Sequence, residues 1–370
     1  MRKKVLFLIH DLGPGGAEKV LVNLVNRMDA NAFDITVLAL FDGGVNRKFL
    51  APHINYQFCF SKMHRGNSHM MKICSPKCLH RYLIKEKYDI EISYLEGVCA
   101  RIISGCEEKN TKLVTWIHIE QTGRNATASF RSKREAVNCY RKFHKIVCVS
   151  EAVRNSFLKC FPIDVPVEVC YNTNDSEKIL KLAKEAVSKE LFLKDEFSII
   201  GVGKLLKRKG FDRILRIAYR LKKEGYPIRV YLLGNGPRKK KLEDYVKKHQ
   251  LESNVTFLGY QVNPYKYIKR SDLFVCASLA EGFSTAATEA LILGVPVCTV
   301  EVSGMKEMLG SKNEYGIVTE KTEDALYLGM KRLLDDEILF GHYQRQAEIR
   351  GKEFFTEKTV ESVESLLSCI

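Results

Sequence analysis

The chain has 370 residues, 45% of them hydrophobic and 28% charged, and carries a net charge of +15. That length suggests two domains, and the composition is that of an ordinary soluble globular protein. It excludes a membrane-spanning chain, since no run approaches ~18 apolar residues, and a disulfide scaffold, since twelve cysteines lie scattered, with no metal-type pairing.

Met1-Arg2-Lys3-Lys4 followed by Val5–Ile9 mimics an export signal, but the apolar run stops at His10-Asp11. It reads as a first buried strand, and the protein is expected in the cytoplasm. Gly13-Pro14-Gly15-Gly16 then breaks the chain. Ala17, Val20, Leu21, Leu24 and Val25 follow at helical spacing. Glycine amides opening a helix can receive a phosphate, so Gly16 is a candidate contact. The spacing falls short of Gly-x-Gly-x-x-Gly, which argues against an NAD site. Further strands are expected at Ile35–Leu40, Ile90–Tyr94, Leu113–Ile117 and Ile146–Val149, with helical segments between most of them. The third of these runs into Trp116-Ile117-His118-Ile119-Glu120. Open α/β sheets bind ligands at the carboxyl ends of their strands, which makes His118 a candidate ligand contact.

Residues 1–172 hold 26 Lys/Arg against 16 Asp/Glu. Residues 61–87 carry seven basic residues and one acid, as do residues 124–145. Such a face suits an anionic partner: a membrane surface or a phosphorylated acceptor. A solvated basic surface is the plainer alternative. No nucleic-acid motif accompanies it.

After strand Val167–Tyr171 the pattern restarts at Asn172-Thr173-Asn174-Asp175. We therefore expect an N-terminal domain over residues 1–172 and a second over 173–350. A final helix in 351–370 is expected to pack back on the first. Strand Ser198–Val202 ends in Gly201-Val202-Gly203-Lys204-Leu205-Leu206-Lys207-Arg208-Lys209-Gly210. There Lys204 and Lys209 can reach phosphate oxygens over the strand end. Alternating elements continue to strand Leu273–Cys276. The segment Ser278-Leu279-Ala280-Glu281-Gly282-Phe283-Ser284-Thr285-Ala286-Ala287-Thr288-Glu289-Ala290 follows. Gly282 permits a tight turn, and the amides of Phe283, Ser284 and Thr285 open a helix whose dipole favours an anion such as a pyrophosphate. Glu289 lies about one turn on, where it can accept from a ribose diol. Glu281 lies beside the anion site, within reach of a sugar. An ordinary capped helix with solvated glutamates is the alternative.

Together these residues resemble glycosyltransferase family 4, the retaining enzymes of the GT-B fold. The resemblance runs from Gly15-Gly16-Ala17-Glu18 to Gly304-Met305-Lys306-Glu307 and is most specific between Gly201 and Glu307. It implies an α/β fold of two Rossmann-like domains facing each other across a cleft. It also implies roles. Glu281 contacts the donor sugar, Glu289 the ribose and Lys209 the donor phosphate. His118 lies near the exocyclic C6 group, and Gly16 belongs to the first-domain loop. Lys204 stands where the family usually has arginine and lacks its bidentate fork. No cofactor is implied beyond a nucleotide-diphosphate sugar of the UDP or GDP kind, and no metal, in keeping with the missing Asp-x-Asp motif. The stretch from Thr299 to Val318 looks most like bacterial capsule and exopolysaccharide members, whose acceptors are commonly polyprenyl-diphosphate-linked sugars. A sugar-nucleotide epimerase, a phosphorylase or a non-catalytic nucleotide-sugar-binding protein remains open on the same residues.

Overall fold

The structure, a computed structural model, describes residues 2–62, 71–123, 125–188 and 190–370. It divides into two compact units, Met1–Thr173 with Thr356–Ile370, and Asn174–Phe355.

The first unit carries seven strands: β1 (Lys3–Ile9), β2 (Phe33–Phe41), β3 (Asn55–Phe60), β4 (Ile90–Ser93), β5 (Lys112–Ile117), β6 (Lys145–Cys148) and β7 (Val167–Val169). They run parallel in the order β3-β2-β1-β4-β5-β6-β7. Val5 through Ile9 are fully buried, as a central parallel strand covered on both faces requires. β3 is not marked by the sequence pattern. Its Asn-Tyr-Gln-Phe-Cys-Phe run is half-exposed at the sheet edge and lacks the β-branched residues that mark the inner strands.

The second unit carries β8 (Phe197–Val202), β9 (Ile228–Leu233), β10 (Val255–Gly259), β11 (Leu273–Cys276), β12 (Val297–Val300) and β13 (Ile317–Thr319). These are also parallel, in the order β10-β9-β8-β11-β12-β13. The helix Phe211–Lys223 shows why the crossovers pack. Phe211, Ile214, Leu215, Ile217, Ala218 and Leu221 form its buried stripe, while Lys222 and Lys223 lie in its last turn, where they suit the dipole.

Each sheet reverses its strand order once, between β1 and β4 in the first unit and between β8 and β11 in the second. Ligands in open α/β sheets bind beside such points, past the carboxyl ends of the strands.

The last helix, Thr356–Ser368, belongs to the first unit. It buries Val360, Val363, Leu366 and Leu367, and the Glu364 carboxylate accepts from the Asp29 N–H at 2.6 Å. The change-over falls at 355/356 rather than at the expected 350/351. Residues 351–355 stay with the second unit for a packing reason. A Cβ on Gly351 would come within 2.2 Å of the Leu291 carbonyl oxygen, and the Phe354 ring lies edge-on to Phe283 at 5.8 Å. All twelve cysteines are unpaired. Among the described residues no helix is long and apolar enough to cross a membrane.

Candidate functional site

In the second unit the two expected segments meet at the β8/β11 reversal. Gly203 follows β8, and its N–H donates to the Leu233 carbonyl at 2.9 Å. Gly234 has φ +134°, and a Cβ there would lie 1.9 Å from the Gly203 oxygen, so the loops after β8 and β9 touch backbone to backbone. A short 3-10 turn, Lys207–Lys209, then leads to Gly210 in the left-handed region at φ +67°. A Cβ on Gly210 would lie 2.0 Å from the Ala277 carbonyl oxygen. Both constraints select glycine. The closeness they permit lets the Leu279 N–H donate to the Arg208 carbonyl at 2.7 Å.

This backbone seam presents Lys209 to Glu281. Nζ donates to Oε1 at 2.5 Å, and the Ser278 hydroxyl donates to the same oxygen at 2.6 Å. The two side chains are only 21% and 10% exposed, so the charges are largely withdrawn from water and hold each other in place. Lys204 is exposed and forms no ion pair among the described residues. The structure thus brings Lys209 and Glu281 together and leaves Lys204 outside the pair.

Ser284 caps the helix Thr285–Ile292, its hydroxyl accepting from the Ala287 N–H. Glu289 is 3% exposed within that helix, among Ala287, Ala290 and Leu291. Gly304, at φ +77°, lies against the Gly282 carbonyl oxygen, which a Cβ would approach to 2.8 Å. The loops after β11 and β12 are therefore fitted together around Gly282 and Phe283.

In the first unit, Gly16 opens the helix Gly16–Arg27, and Gly15 caps it with no side-chain bond. A Cβ on Gly15 would fall 1.8 Å from a Glu18 carboxylate oxygen. Glu18 is thus folded back over the helix start that the sequence marks for an anion. His118 follows β5, one strand from the β1/β4 reversal. Its N–H donates to the Glu96 carboxylate at 2.9 Å, and its ring lies 4.9 Å from that of Tyr94. Burial lowers the imidazole pKa to about 4, with a bond to the Tyr94 backbone acting the other way. His118 is therefore neutral at physiological pH. Its buried Nε2 has no hydrogen-bond partner among the described residues. Burial raises the Glu96 carboxyl above its usual range, and the bond from the His118 backbone opposes this.

Glu96 and Ser278 are the polar partners that the sequence reading left without a role. Ser278 opens the segment Ser278–Ala290 that carries Glu281 and Glu289. Glu96 follows β4, at the carboxyl end of a strand beside the reversal, and that position was the available signal.

Two parallel doubly wound sheets, one with a lysine–carboxylate pair over its strand reversal, define a protein of the GT-B class. Residues 14–178 match the model for Glycosyltransferase Family 4, and residues 183–353 match that for Glycosyl transferases group 1. The chain belongs to glycosyltransferase family 4. It is 36% identical over 189 residues to the N-acetylgalactosamine-N,N'-diacetylbacillosaminyl-diphospho-undecaprenol 4-alpha-N-acetylgalactosaminyltransferase of Campylobacter jejuni, a match covering 50% of this chain and 49% of that one. The alignment thus spans about half the length of that relative. An uncharacterized glycosyltransferase of Methanocaldococcus jannaschii is 26% identical, over 70% of this chain and 72% of its own. Among solved structures, HepE of Anabaena in complex with UDP superposes with a TM-score of 0.80 at 19% identity, covering 99% of this chain and 100% of that one.

Proposed function

We propose that this glycosyltransferase moves a sugar from a nucleotide-diphosphate sugar, of the UDP kind, to a lipid-linked glycan. The anomeric configuration is retained and no metal takes part. The observation that carries the reading is the Lys209–Glu281 pair over the β8/β11 reversal. An ammonium held there can meet the charge that grows on a departing diphosphate, the site where a preorganised cation lowers a barrier most.

The residues take the following parts. Lys209 receives the phosphate oxygens while Glu281 and Ser278 fix its position. Both bonds from Lys209 and Ser278 fall on Oε1, so Glu281 Oε2 is the oxygen for a hydroxyl of the donor sugar. The amides from Gly282 to Thr285 take the diphosphate at the start of their helix, and Glu289 takes the ribose. His118, neutral and with Nε2 unpartnered among the described residues, accepts a hydrogen bond from a hydroxyl of the sugar. The leaving diphosphate serves as the base for the acceptor, so no carboxylate pair or metal-bound water is needed.

The acceptor reading draws on the Campylobacter relative, whose name specifies a diphospho-undecaprenol carrier. Such an acceptor is anionic and membrane-borne, which suits a basic first unit working at the cytoplasmic face of a membrane in surface-polysaccharide assembly.

The test is to offer UDP- and GDP-sugars with polyprenyl-diphosphate-linked acceptors in excess EDTA and to assign the product anomer by NMR. A new glycosidic bond with the donor's configuration supports the proposal. An inverted product, or activity lost in EDTA, overturns retention or metal independence. An altered sugar nucleotide with no glycan product would mark an epimerase, and a sugar phosphate a phosphorylase.

A further inference from the structure

The first unit also gathers three donor groups of different chemistry away from the strand ends described above. His80 stands on the helix Pro76–Leu83, Glu91 is the second residue of β4, and Cys106 follows the helix Val98–Ile103. Imidazole Nε2 lies 2.7 Å from Glu91 Oε2, and the Cys106 thiol lies 3.8 Å from Glu91 Oε1. One ligand atom from each residue lies within 4.8 Å of the other two. The Glu91 side chain is 2% exposed and that of His80 12%.

We infer that His80, Glu91 and Cys106 form a binding site for a zinc-class divalent ion, separate from the residues assigned to glycosyl transfer. A carboxylate buried in a central strand is costly unless a cation or strong donors compensate it. The donor set is nitrogen, oxygen and sulfur, which zinc accepts together and which magnesium and calcium do not. Zinc holds such ligands at about 2.0–2.3 Å, so tetrahedral neighbours lie roughly 3.3–3.7 Å apart. The closest pair must open by about an ångström or less and the widest close by at most about 1.5 Å, within the reach of side-chain adjustment on a helix and a loop. Three protein ligands leave a fourth position for water.

The exchange balances. The ion replaces the proton between His80 and Glu91 and the thiol proton of Cys106, and both protons pass to solvent. Two positive charges leave as two arrive, so the buried carboxylate stays compensated. Glu91 lies near the amino end of β4, whereas Glu96 and His118 follow carboxyl ends, so the ion would fasten the helix Pro76–Leu83 and the Cys106 segment to the sheet. The positions of the three residues in sequence follow no metal-site spacing; only the fold collects them.

The experiment uses full-length, tag-free protein stripped with chelator and titrated with Co²⁺, then Zn²⁺. One equivalent of Co²⁺ should produce a thiolate-to-metal charge-transfer band and the strong visible bands of low coordination, both erased by Zn²⁺. Cys106→Ser should lose the charge-transfer band and weaken binding by more than about tenfold, the least expected for a direct ligand. The Cys74→Ser/Cys78→Ser double variant, which removes two exposed thiols, should retain both signals. If Cys106→Ser fails to fold, His80→Gln is read instead for loss of the visible bands. Absence of the band in the wild type, its survival in Cys106→Ser, or its loss in the double variant overturns the proposal and leaves the cluster a buried histidine–glutamate pair.

Discussion

Lys209 and Glu281 are worth more as a pair than as separate charges. Removing the lysine strands a carboxylate that is 10% exposed, so a simple truncation confounds two effects. Lys209→Ala should lower kcat by about 10²–10³-fold, the usual loss for one transition-state donor, with a smaller change in the Michaelis constant for donor. The Lys209→Ala/Glu281→Gln double variant separates the causes. If the lysine acts on the diphosphate the double variant stays slow; recovery of turnover would reduce Lys209 to a counter-ion. His118 supplies a second test. Its pKa is about 4 when folded, below the ordinary 6.5, so the unfolded chain binds the proton more readily between those values. Its contribution to stability is complete above pH 6.5 and is lost as pH falls toward 4. Urea midpoints measured across that window should drop more steeply for wild type than for His118→Asn. Equal slopes would show that the imidazole takes up its proton in place.

At the scale of elements, inner strands such as Val5–Ile9 and Leu273–Cys276 were legible because they are apolar runs bounded by turn residues. The edge strands β3 and β13 were not: one is mixed and half-exposed, and the other is three residues long. The candidate site divides the same way. Lys209 and Glu281 were each identified from their loops, yet their contact across 72 positions depends on β8 lying beside β11, and alternating strands and helices do not specify strand order. His118 was identified and Glu96 was not, for the same reason. The seam between the loops after β8 and β11 rests on Gly210. Gly210→Ala would need a left-handed backbone and a Cβ 2.0 Å from a carbonyl oxygen. It should cost more than about 1 kcal/mol in denaturant unfolding and weaken binding of UDP in calorimetry, since the Leu279–Arg208 contact must open. Gly225→Ala is the control. Its φ is +85°, but nothing lies within 4 Å of the added atom, so it carries the backbone strain without the collision. Equal losses in the two variants would deny the seam any part in donor binding.

For the molecule as a whole, the proposed membrane-borne acceptor raises the question of how a chain with no membrane-crossing helix among its described residues would reach it. The basic stretch over residues 61–87 is the candidate surface. Arg65, with Met63 and Met70, lies outside the described residues. Lys72 and Lys77 flank the exposed Ile73, and Arg81 precedes the exposed Tyr82, so charge and apolar surface do alternate there. Met71 is buried instead and adds nothing to such a surface. Glu107 also tempers the charge, pairing with Lys77 at 2.6 Å and Arg81 at 3.5 Å. Each free basic residue near an anionic membrane contributes about 1 kcal/mol, so among the described residues Lys62 and Lys72 supply more of the attraction than the paired Lys77 and Arg81. The attraction is screened over ~8 Å at physiological ionic strength, which makes binding reversible. The protein should therefore sediment with anionic liposomes at low salt and be released at high salt. Glu107→Gln should strengthen that binding by freeing Lys77 and Arg81. Reversing Lys62, Arg65, Lys72, Lys77 and Arg81 together should abolish it while UDP-sugar affinity is unchanged, because the proposed diphosphate and ribose contacts belong to the other unit and Gly16 and His118 lie outside this stretch. Wild-type protein that stays in the supernatant at low salt would make the stretch a solvated face. Glu107→Gln bound no more tightly than wild type would place the membrane contact elsewhere on the first unit.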